Sequence, residues 1–208
     1  MKGYQVARFN EAIDWSEVEV LTIDHYPWYK SGVKQATYVQ LAQFNQALYI
    51  KVKAIDCHSS ASILAINGPV YLDSCFEFFF TPDKDLSTSY INLEINCVGS
   101  VYLGVKDQQG IRIATKDEIS ALMVSSSLEQ GRLKEVSDED ACWYLDIMIP
   151  FSLVKVIYKD SIDWDRWHCN FYRCGGQIDD QYGVWHAISG PEPDFHQPLQ
   201  FGQLNFLK

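Results

Sequence analysis

The 208-residue sequence lacks any long apolar run. Neither a secretory signal at its N-terminus nor a stretch able to span a bilayer is present. We therefore expect a cytoplasmic protein that does not enter the membrane, or a secreted or periplasmic one whose signal has been removed. Basic residues are also scarce. Seventeen Lys and Arg against 27 Asp and Glu give a formal net charge of −10, which disfavours nucleic acid and anionic membranes as partners.

Metal and redox motifs are missing as well. The six cysteines include no Cys-x-x-Cys pair, and no His-rich cluster accompanies them. We therefore expect reduced thiols, and one disulfide remains an alternative. Asn-x-Ser/Thr glycosylation sites do not occur. Internal repeats, low-complexity tracts and linkers are absent too, and the length then favours one domain over residues 1–208.

The pattern that is present is period-two alternation of apolar and polar residues. It predicts a hairpin that turns at Asn45–Gln46, and Phe151, Val154 and Ile157 share a face that predicts one or two helical turns. Many short strands with almost no helix predict an all-β fold, a two-sheet antiparallel β-sandwich of the immunoglobulin-like or jelly-roll type with one short helix. The further predicted strands cover residues 75–80, 90–97, 101–105, 143–149, 167–172 and 201–207.

Two of these strands carry an unusual polar face. Ile91, Leu93 and Ile95 must face the core, so the intervening polar residues Asn92 and Glu94 share the opposite side of the strand. If the strand 75–80 is a neighbour, Glu77 joins them. Carboxylates and amides can hydrogen-bond sugar hydroxyls, but the outer face of an antiparallel sheet is normally polar and solvated. Alternation alone leaves these two interpretations about equal.

A buried pair of glutamates would have a further consequence. Glu77 and Glu94 placed side by side would raise one another's pKa, which would draw a cation or a protonated partner to the site. Aromatic residues make up 14% of the chain, which fits either an aromatic β core or an aromatic binding surface.

Two longer runs carry a family resemblance. The first is Gly-Pro-Val-Tyr-Leu-Asp-Ser-Cys-Phe-Glu-Phe-Phe at 68–79, followed by Tyr-Ile-Asn-Leu-Glu-Ile-Asn at 90–96. The second has Asn-Phe-Tyr-Arg-Cys-Gly at 170–175, then Trp185, and Pro-Asp-Phe-His-Gln-Pro at 193–198. Together they resemble the carbohydrate-binding module family 9 and its standalone relatives, over most of the chain. The resemblance implies a β-sandwich that binds a sugar, often a chain end, between two aromatic rings and without catalysis.

The resemblance also assigns positions. Tyr71 and Trp185 match the two stacking rings, and Glu77 matches a carboxylate beside them; Trp185 follows a glycine-containing loop, which suits an exposed ring. Glu94 stands where other members carry an arginine, and this exchange of a cation for an anion leaves the sugar open. The predicted ligand-binding residues are Tyr71, Glu77, Asn92, Glu94, Arg173 and Trp185.

Several roles remain alternatives at this point. Arg173 could hold Glu77 ionised or contact the ligand, with a structural role favoured. Asp194 and His196 are expected to stabilise a proline-flanked turn. The acidic loops 83–85 and 138–140 leave a Ca²⁺ site open, although neither has an ordered ligand spacing, and no cofactor is expected.

Two other functions compete with sugar binding. Glu77 and Glu94 could act as acid and base on a glycosidic bond. Their generic cross-strand spacing of about 5 Å is about right for retention. A haem-binding or redox sandwich would need an axial Met and His, and Met1, Met123 and Met148 show no such pairing. We expect a non-catalytic protein whose partner is a mono- or oligosaccharide, of unspecified oligomeric state.

Overall fold

The computed structural model describes residues 2–29, 33–131, 133–136, 142–176 and 181–207. Short strands dominate these ranges. The strands are β1 Gly3–Arg8, β2 Leu21–Ile23, β3 Thr37–Phe44, β4 Ala47–Ile55, β5 Ser59–Ala61, β6 Ser74–Thr81, β7 Tyr90–Asn96, β8 Val101–Asp107, β9 Gly110–Ile113, β10 Met123–Ser126, β11 Leu133–Val136, β12 Cys142–Pro150, β13 Arg166–Gly175, β14 Tyr182–Val184 and β15 Gly202–Phe206. The helices are α1 Lys116–Ser120 and α2 Phe151–Ile157, with 3₁₀ turns at Val70–Leu72 and Pro198–Gln200.

The strands form two main sheets. The front sheet has the order β15-β13-β6-β7-β8-β9, with β14 also paired to β13; the back sheet has the order β10-β12-β4-β3, with β2 also paired to β3. Strand β1 joins them, because residues 3–6 pair with β15 and residues 7–8 pair with β3, both in parallel. The prediction of an all-β, two-sheet sandwich is confirmed, and β1 is where the arrangement departs from antiparallel pairing.

The main core lies between the two sheets because alternate side chains of each strand point inward. Rings from the front sheet stack in a continuous row there. Phe78 lies 4.8 Å from Phe171 and 4.5 Å from Phe80, and Phe80 lies 5.1 Å from Trp167, measured between ring centroids. The back sheet contributes aliphatic residues and Trp143.

Local sequence signals explain several elements. Asn45 and Gln46 adopt positive φ values of 46° and 61°, as the tight turn of the β3–β4 hairpin requires. The predicted helix at 151–157 is confirmed as α2. Helix α1 was not predicted, although Thr115 and Glu118 form a capping box at its start, a signal readable from the sequence. No helix in the described ranges is long and apolar enough to cross a membrane.

The outer face of the front sheet is covered rather than solvated. Phe79, Tyr90 and Tyr172 on this face form a second apolar cluster with Val70 and Phe195 from loops that fold over the sheet. Every residue of β6 and β7 is buried as a result. The interpretation of the polar row as an ordinary solvated face is therefore wrong.

Candidate functional site

A cleft of about 530 Å³ opens on the outer side of the front sheet, between the two covering loops. Its floor comes from four neighbouring strands, because alternate positions of each strand point away from the main core. The floor residues are Glu77 on β6, Asn92 and Glu94 on β7, Tyr102 on β8 and Cys174 on β13. Asn67, Gly68, Pro69 and Tyr71 line one wall, Tyr182 and residues 193–196 the other, and Ile111 lies at the β9 side.

Glu77 and Glu94 form the centre of the floor. They are directly opposite each other in the β6–β7 register and are only 2% and 6% exposed. The Cys174 thiol donates to Glu77 Oε1 at 3.1 Å, and Asn92 Nδ2 donates to Glu94 Oε1 at 2.9 Å. These two donors are neutral. The predicted grouping of the three side chains is therefore present, with Glu94 opposite Glu77 and Asn92 bonded to Glu94.

Burial and mutual repulsion disturb the titration of this pair. Burial, followed by the charge of Glu94, raises the pKa of Glu77 well above its usual range, against the opposing effect of the Cys174 hydrogen bond. Burial raises the pKa of Glu94 to about 7, although the Asn92 hydrogen bond works in the opposite direction. At neutral pH the pair therefore retains a proton. The predicted effect of one glutamate on the other is seen in the pKa of Glu77, whereas burial is what raises the pKa of Glu94.

Two acceptor atoms at the floor have no donor from the described part of the chain. These are Glu94 Oε2 and Asn92 Oδ1, in side chains only 6% and 7% exposed. Buried acceptors without a donor are uncommon in native proteins and need a specific explanation. Such atoms favour a site that receives hydrogen-bond donors from a ligand.

Asp73 fixes the wall that carries Tyr71. Its carboxylate accepts hydrogen bonds from the backbone N–H groups of Ser62 and Ile63 and from Asn96 Nδ2, at 2.8–2.9 Å. The adjacent 3₁₀ turn leaves the Tyr71 ring 50% exposed. Tyr71, for which binding and edge packing were both open, thus lies at the cleft with an exposed side chain.

The opposite wall is held by aromatic contacts. Tyr172 stacks on Phe195 at 4.2 Å and donates its hydroxyl hydrogen bond to the Phe195 carbonyl. The His196 Nδ1 lies 2.6 Å from the Tyr90 hydroxyl, and the His196 N–H donates to Asp194 Oδ1 at 2.8 Å. The prediction that both side chains bond backbone groups holds for Asp194 only, because the His196 ring bonds the Tyr90 hydroxyl. The same segment also lines the cleft.

Trp185 does not lie in the cleft. It is 2% exposed, packs edge-to-face on Phe171 in the main core, and its carbonyl accepts a hydrogen bond from Lys2. A Cβ added at Gly202 would lie 2.7 Å from the Trp185 ring, so glycine is needed there. The expectation of an exposed ring is wrong, because the chain beyond β14 turns this side chain toward the space between the sheets.

Arg173 also points away from the cleft. It alternates with Tyr172 and Cys174 along β13 and therefore faces the back sheet, where it forms an ion pair with Asp56 and lies over the Trp143 ring. Trp143 Nε1 donates to the same carboxylate. Burial alone would raise the pKa of Asp56. The Arg173 charge and the hydrogen bonds from Trp143 and the His58 backbone hold this pKa below its usual range. The alternative in which Arg173 pairs with Glu77 is wrong; its contacts are structural.

Two cleft aromatics were missed by the sequence reasoning. Tyr102 lies opposite Glu94 across the β7–β8 pair, and Tyr182 lies opposite Cys174 across the β13–β14 pair. Trp185 is three positions after Tyr182, and residues an odd number of positions apart in a strand point to opposite faces. Extending the alternation from Tyr182 would therefore have placed Trp185 on the opposite face. That signal was available, but the strand is only three residues long.

The described residues contain no cluster of three or more His, Cys, Asp or Glu side chains placed to hold a metal. Of the acidic loops considered for Ca²⁺, residues 83–85 are described and residues 138–140 lie outside the described ranges. The glycine-loop residues 177–180 also lie outside them. Met123 and Met148 pair across β10 and β12 on the back sheet, and no histidine lines the groove there.

This covered sandwich with a floor of buried acceptors corresponds to a known class of β-domain. The family model "Carbohydrate-binding family 9" matches residues 7–206, nearly the whole chain. The chain therefore belongs to carbohydrate-binding family 9. The predicted family resemblance is confirmed.

Solved structures share this fold. A protein from Bacteroides uniformis, provisionally described as carbohydrate-binding, superposes with a TM-score of 0.87 at 24% identity, over 99% of both chains. A family 9 module from Caldicellulosiruptor kristjanssonii in complex with glucose gives a TM-score of 0.63 at 15% identity, over 99% of this chain and 96% of that one. A family 9 module from the same organism in complex with cellotriose gives a TM-score of 0.62 at 14% identity, over 99% of this chain and 93% of that one. None of the curated proteins compared with the chain matches it.

Proposed function

We propose that this protein binds a mono- or oligosaccharide, without catalysis, in the cleft on its front sheet. The observation that carries the proposal is the floor itself, where Glu94 and Asn92 hold buried acceptor atoms that the described protein leaves without donors. Sugar hydroxyls are donors of the required kind, and a hydrogen bond to a charged acceptor contributes roughly 1.5–3 kcal/mol. Family membership supports the same ligand class.

The walls suit a sugar as well. A pyranose presents C–H faces that pack on aromatic rings, and the open Tyr71 ring offers such a surface at the cleft mouth. The cleft volume of about 530 Å³ lies within the range of about 300–1,000 Å³ that is usual for small-molecule sites. Two tyrosines, Tyr102 and Tyr182, add further ring surface and hydroxyl groups.

Isothermal titration against a panel of mono- and oligosaccharides tests the proposal. We expect at least one sugar to bind at micromolar to millimolar concentration. The Tyr71→Ala variant should bind it about three- to tenfold more weakly, since it removes a stacking surface. Tyr144→Ala is the matched control: this tyrosine is 42% exposed on β12 of the back sheet, and its loss should leave the affinity unchanged.

Absence of binding to every sugar at millimolar concentration would refute the proposal. Release of nitrophenol from aryl glycosides that Glu77→Gln abolishes would instead show that the glutamate pair is catalytic. Both outcomes are measurable on the same purified protein.

A further inference from the structure

The glutamate pair has no basic partner among the described residues that line the cleft. Glu77 and Glu94 face each other at 2% and 6% exposure, and their hydrogen-bond donors, Cys174 and Asn92, are neutral. Arg173 lies on the other face of the sheet and is already paired with Asp56. Two buried carboxylates on directly opposite positions of neighbouring strands require a positive charge, which is supplied either by a shared proton or by a cation.

The titratable groups around the pair do not supply that charge. Burial raises the pKa of the phenols and thiols that face the pair from neighbouring strands, so they remain protonated and neutral at pH 7. These groups are Cys75 on β6, Tyr90 on β7, Tyr102 on β8, and Tyr172 and Cys174 on β13. The phenols of Tyr71 and Tyr182 complete the walls.

The covering loop adds no cation either. Burial lowers the pKa of His196, which is therefore neutral at pH 7, and Asp194 beside it adds a negative charge. The ammonium of Lys106 lies 5.9 Å from the centroid of the Tyr90 ring and does not line the cleft. The floor of the cleft is thus an acidic site enclosed by neutral groups and by one further carboxylate, that of Asp194.

A second observation points to a ligand that donates, because the one proton shared by the glutamates can serve at most one of two buried acceptor atoms. Glu94 Oε2 and Asn92 Oδ1 have no donor in the described protein, and both side chains are more than nine-tenths buried. A neutral hydroxyl can satisfy one such acceptor with its single hydrogen. An ammonium group carries three donors and a positive charge, so it meets both requirements of this floor at once.

We propose that the cleft selects a sugar bearing a protonated amine and places its ammonium group at the Glu77–Glu94 pair. This inference rests on the proposed function and specifies its ligand class. In the free protein the pair holds one shared proton. When the ammonium enters, it takes over the role of that proton, which is released to solvent, while the sugar ring packs against the aromatic walls.

Calorimetric titration at about pH 6.5, where a sugar amine is largely protonated, compares glucosamine with glucose and N-acetylglucosamine. We expect glucosamine to bind about tenfold or more tightly than the two neutral sugars, because its hydrogen bonds to the pair are charged on both sides. Repeating the titration in buffers of different ionisation enthalpy should show proton release with glucosamine and none with glucose.

Charge-neutral variants identify the origin of the preference. The Glu77→Gln/Glu94→Gln double variant keeps the shape of the floor and should bind glucosamine and glucose within about twofold of each other, without proton release. The control Asp14→Asn/Asp146→Asn makes the same change in net charge at exposed acids and should retain the tenfold preference.

The outcomes separate the two proposals. If glucose binds the unmodified protein as tightly as glucosamine, or if the preference survives in the double glutamine variant, the amine inference is wrong while sugar binding stands. If no sugar binds, with or without an amine, the proposed function fails and this inference fails with it.

Discussion

Each of the two cleft glutamates loses most of its hydration when the loops cover the front sheet. Their pKa values rise as a result, so the folded protein binds more protons near neutral pH than the unfolded chain does. By linkage, the stability contributed at this site falls as the pH rises from the ordinary glutamate value toward 7. The site therefore opposes folding when both groups are ionised, which is typical of residues kept for binding rather than for stability.

We predict that Glu94→Gln stabilises the protein at alkaline pH. The pKa of Glu94 rises from 4.5 to about 7, which corresponds to a gain on the order of 3 kcal/mol at about pH 8. Near pH 4 both the native residue and its amide are neutral, so the difference should nearly vanish. Urea unfolding curves at a series of pH values provide the measurement.

The control for this prediction is Asp146→Asn, which neutralises a carboxylate that is 61% exposed on the back sheet. Its effect on the free energy of unfolding should be small at every pH. If Glu94→Gln changes the free energy of unfolding equally little at pH 8, or changes it more as the pH falls, then burial does not raise the pKa of Glu94 as described.

At the level of elements, the cleft depends on loops whose own secondary structure is slight. The segment 62–72 contains one 3₁₀ turn, and its position over the front sheet comes from the Asp73 carboxylate and its contacts with Ser62, Ile63 and Asn96. Asn96 in turn donates to the Ile63 carbonyl and accepts from the Ser100 N–H. One wall of the cleft is thus tied to β7 by two buried polar side chains.

We predict that Asp73→Ala weakens sugar binding although Asp73 does not line the cleft. Loss of the carboxylate leaves buried N–H donors without acceptors, which should cost about 1–3 kcal/mol of stability. The freed loop should also lower sugar affinity by severalfold, because Tyr71 is no longer held in place. Calorimetric titration and urea unfolding of the same variant measure both effects.

Asp14→Ala is the control for this prediction. Asp14 also accepts hydrogen bonds within a turn, from the Ser16 N–H and hydroxyl, but it is exposed and does not line the cleft. It should leave sugar affinity unchanged. Unaltered affinity in Asp73→Ala would show that the loop is positioned without this anchor.

Across the whole molecule, the two sheets are linked by a buried polar contact as well as by the apolar core. Asp56 follows β4 of the back sheet, whereas Arg173 lies on β13 of the front sheet, and their side chains are 1% and 3% exposed. Trp143 on β12 donates to Asp56 and stacks under the guanidinium. Removing one partner of such a pair leaves an uncompensated charge between the sheets.

We predict that Arg173→Met lowers the free energy of unfolding by about 3–5 kcal/mol. The double variant Arg173→Met/Asp56→Asn should recover part of this loss, because no lone charge stays buried. Urea unfolding of the two single variants and the double variant gives the coupling energy. The double variant should still bind sugar. Loss of binding in a folded double variant would show that Arg173 contributes to ligand binding.

Much of the sheet and part of the cleft followed from local pattern. The hairpin at Asn45–Gln46, the helix 151–157 and the strands around Glu77 and Glu94 were predicted because strand and helix periodicities are properties of the backbone. The same alternation placed Asn92 and Glu94 on one face. Strands of three or four residues, such as β2, β9 and β14, were missed because alternation is too short there to distinguish a strand from a loop.

By itself, the sequence determined that Asn92 and Glu94 share one side of β7, together with the sandwich class and its family. Only the tertiary structure decided that this side is buried, that Tyr182 rather than Trp185 lines the cleft, and that Arg173 turns inward to Asp56. The physical reason is that period-two alternation assigns a residue to one of two faces. Which face is covered depends on loops that are distant in sequence, through contacts such as those of Phe195 with Tyr172 and of Asp73 with Asn96.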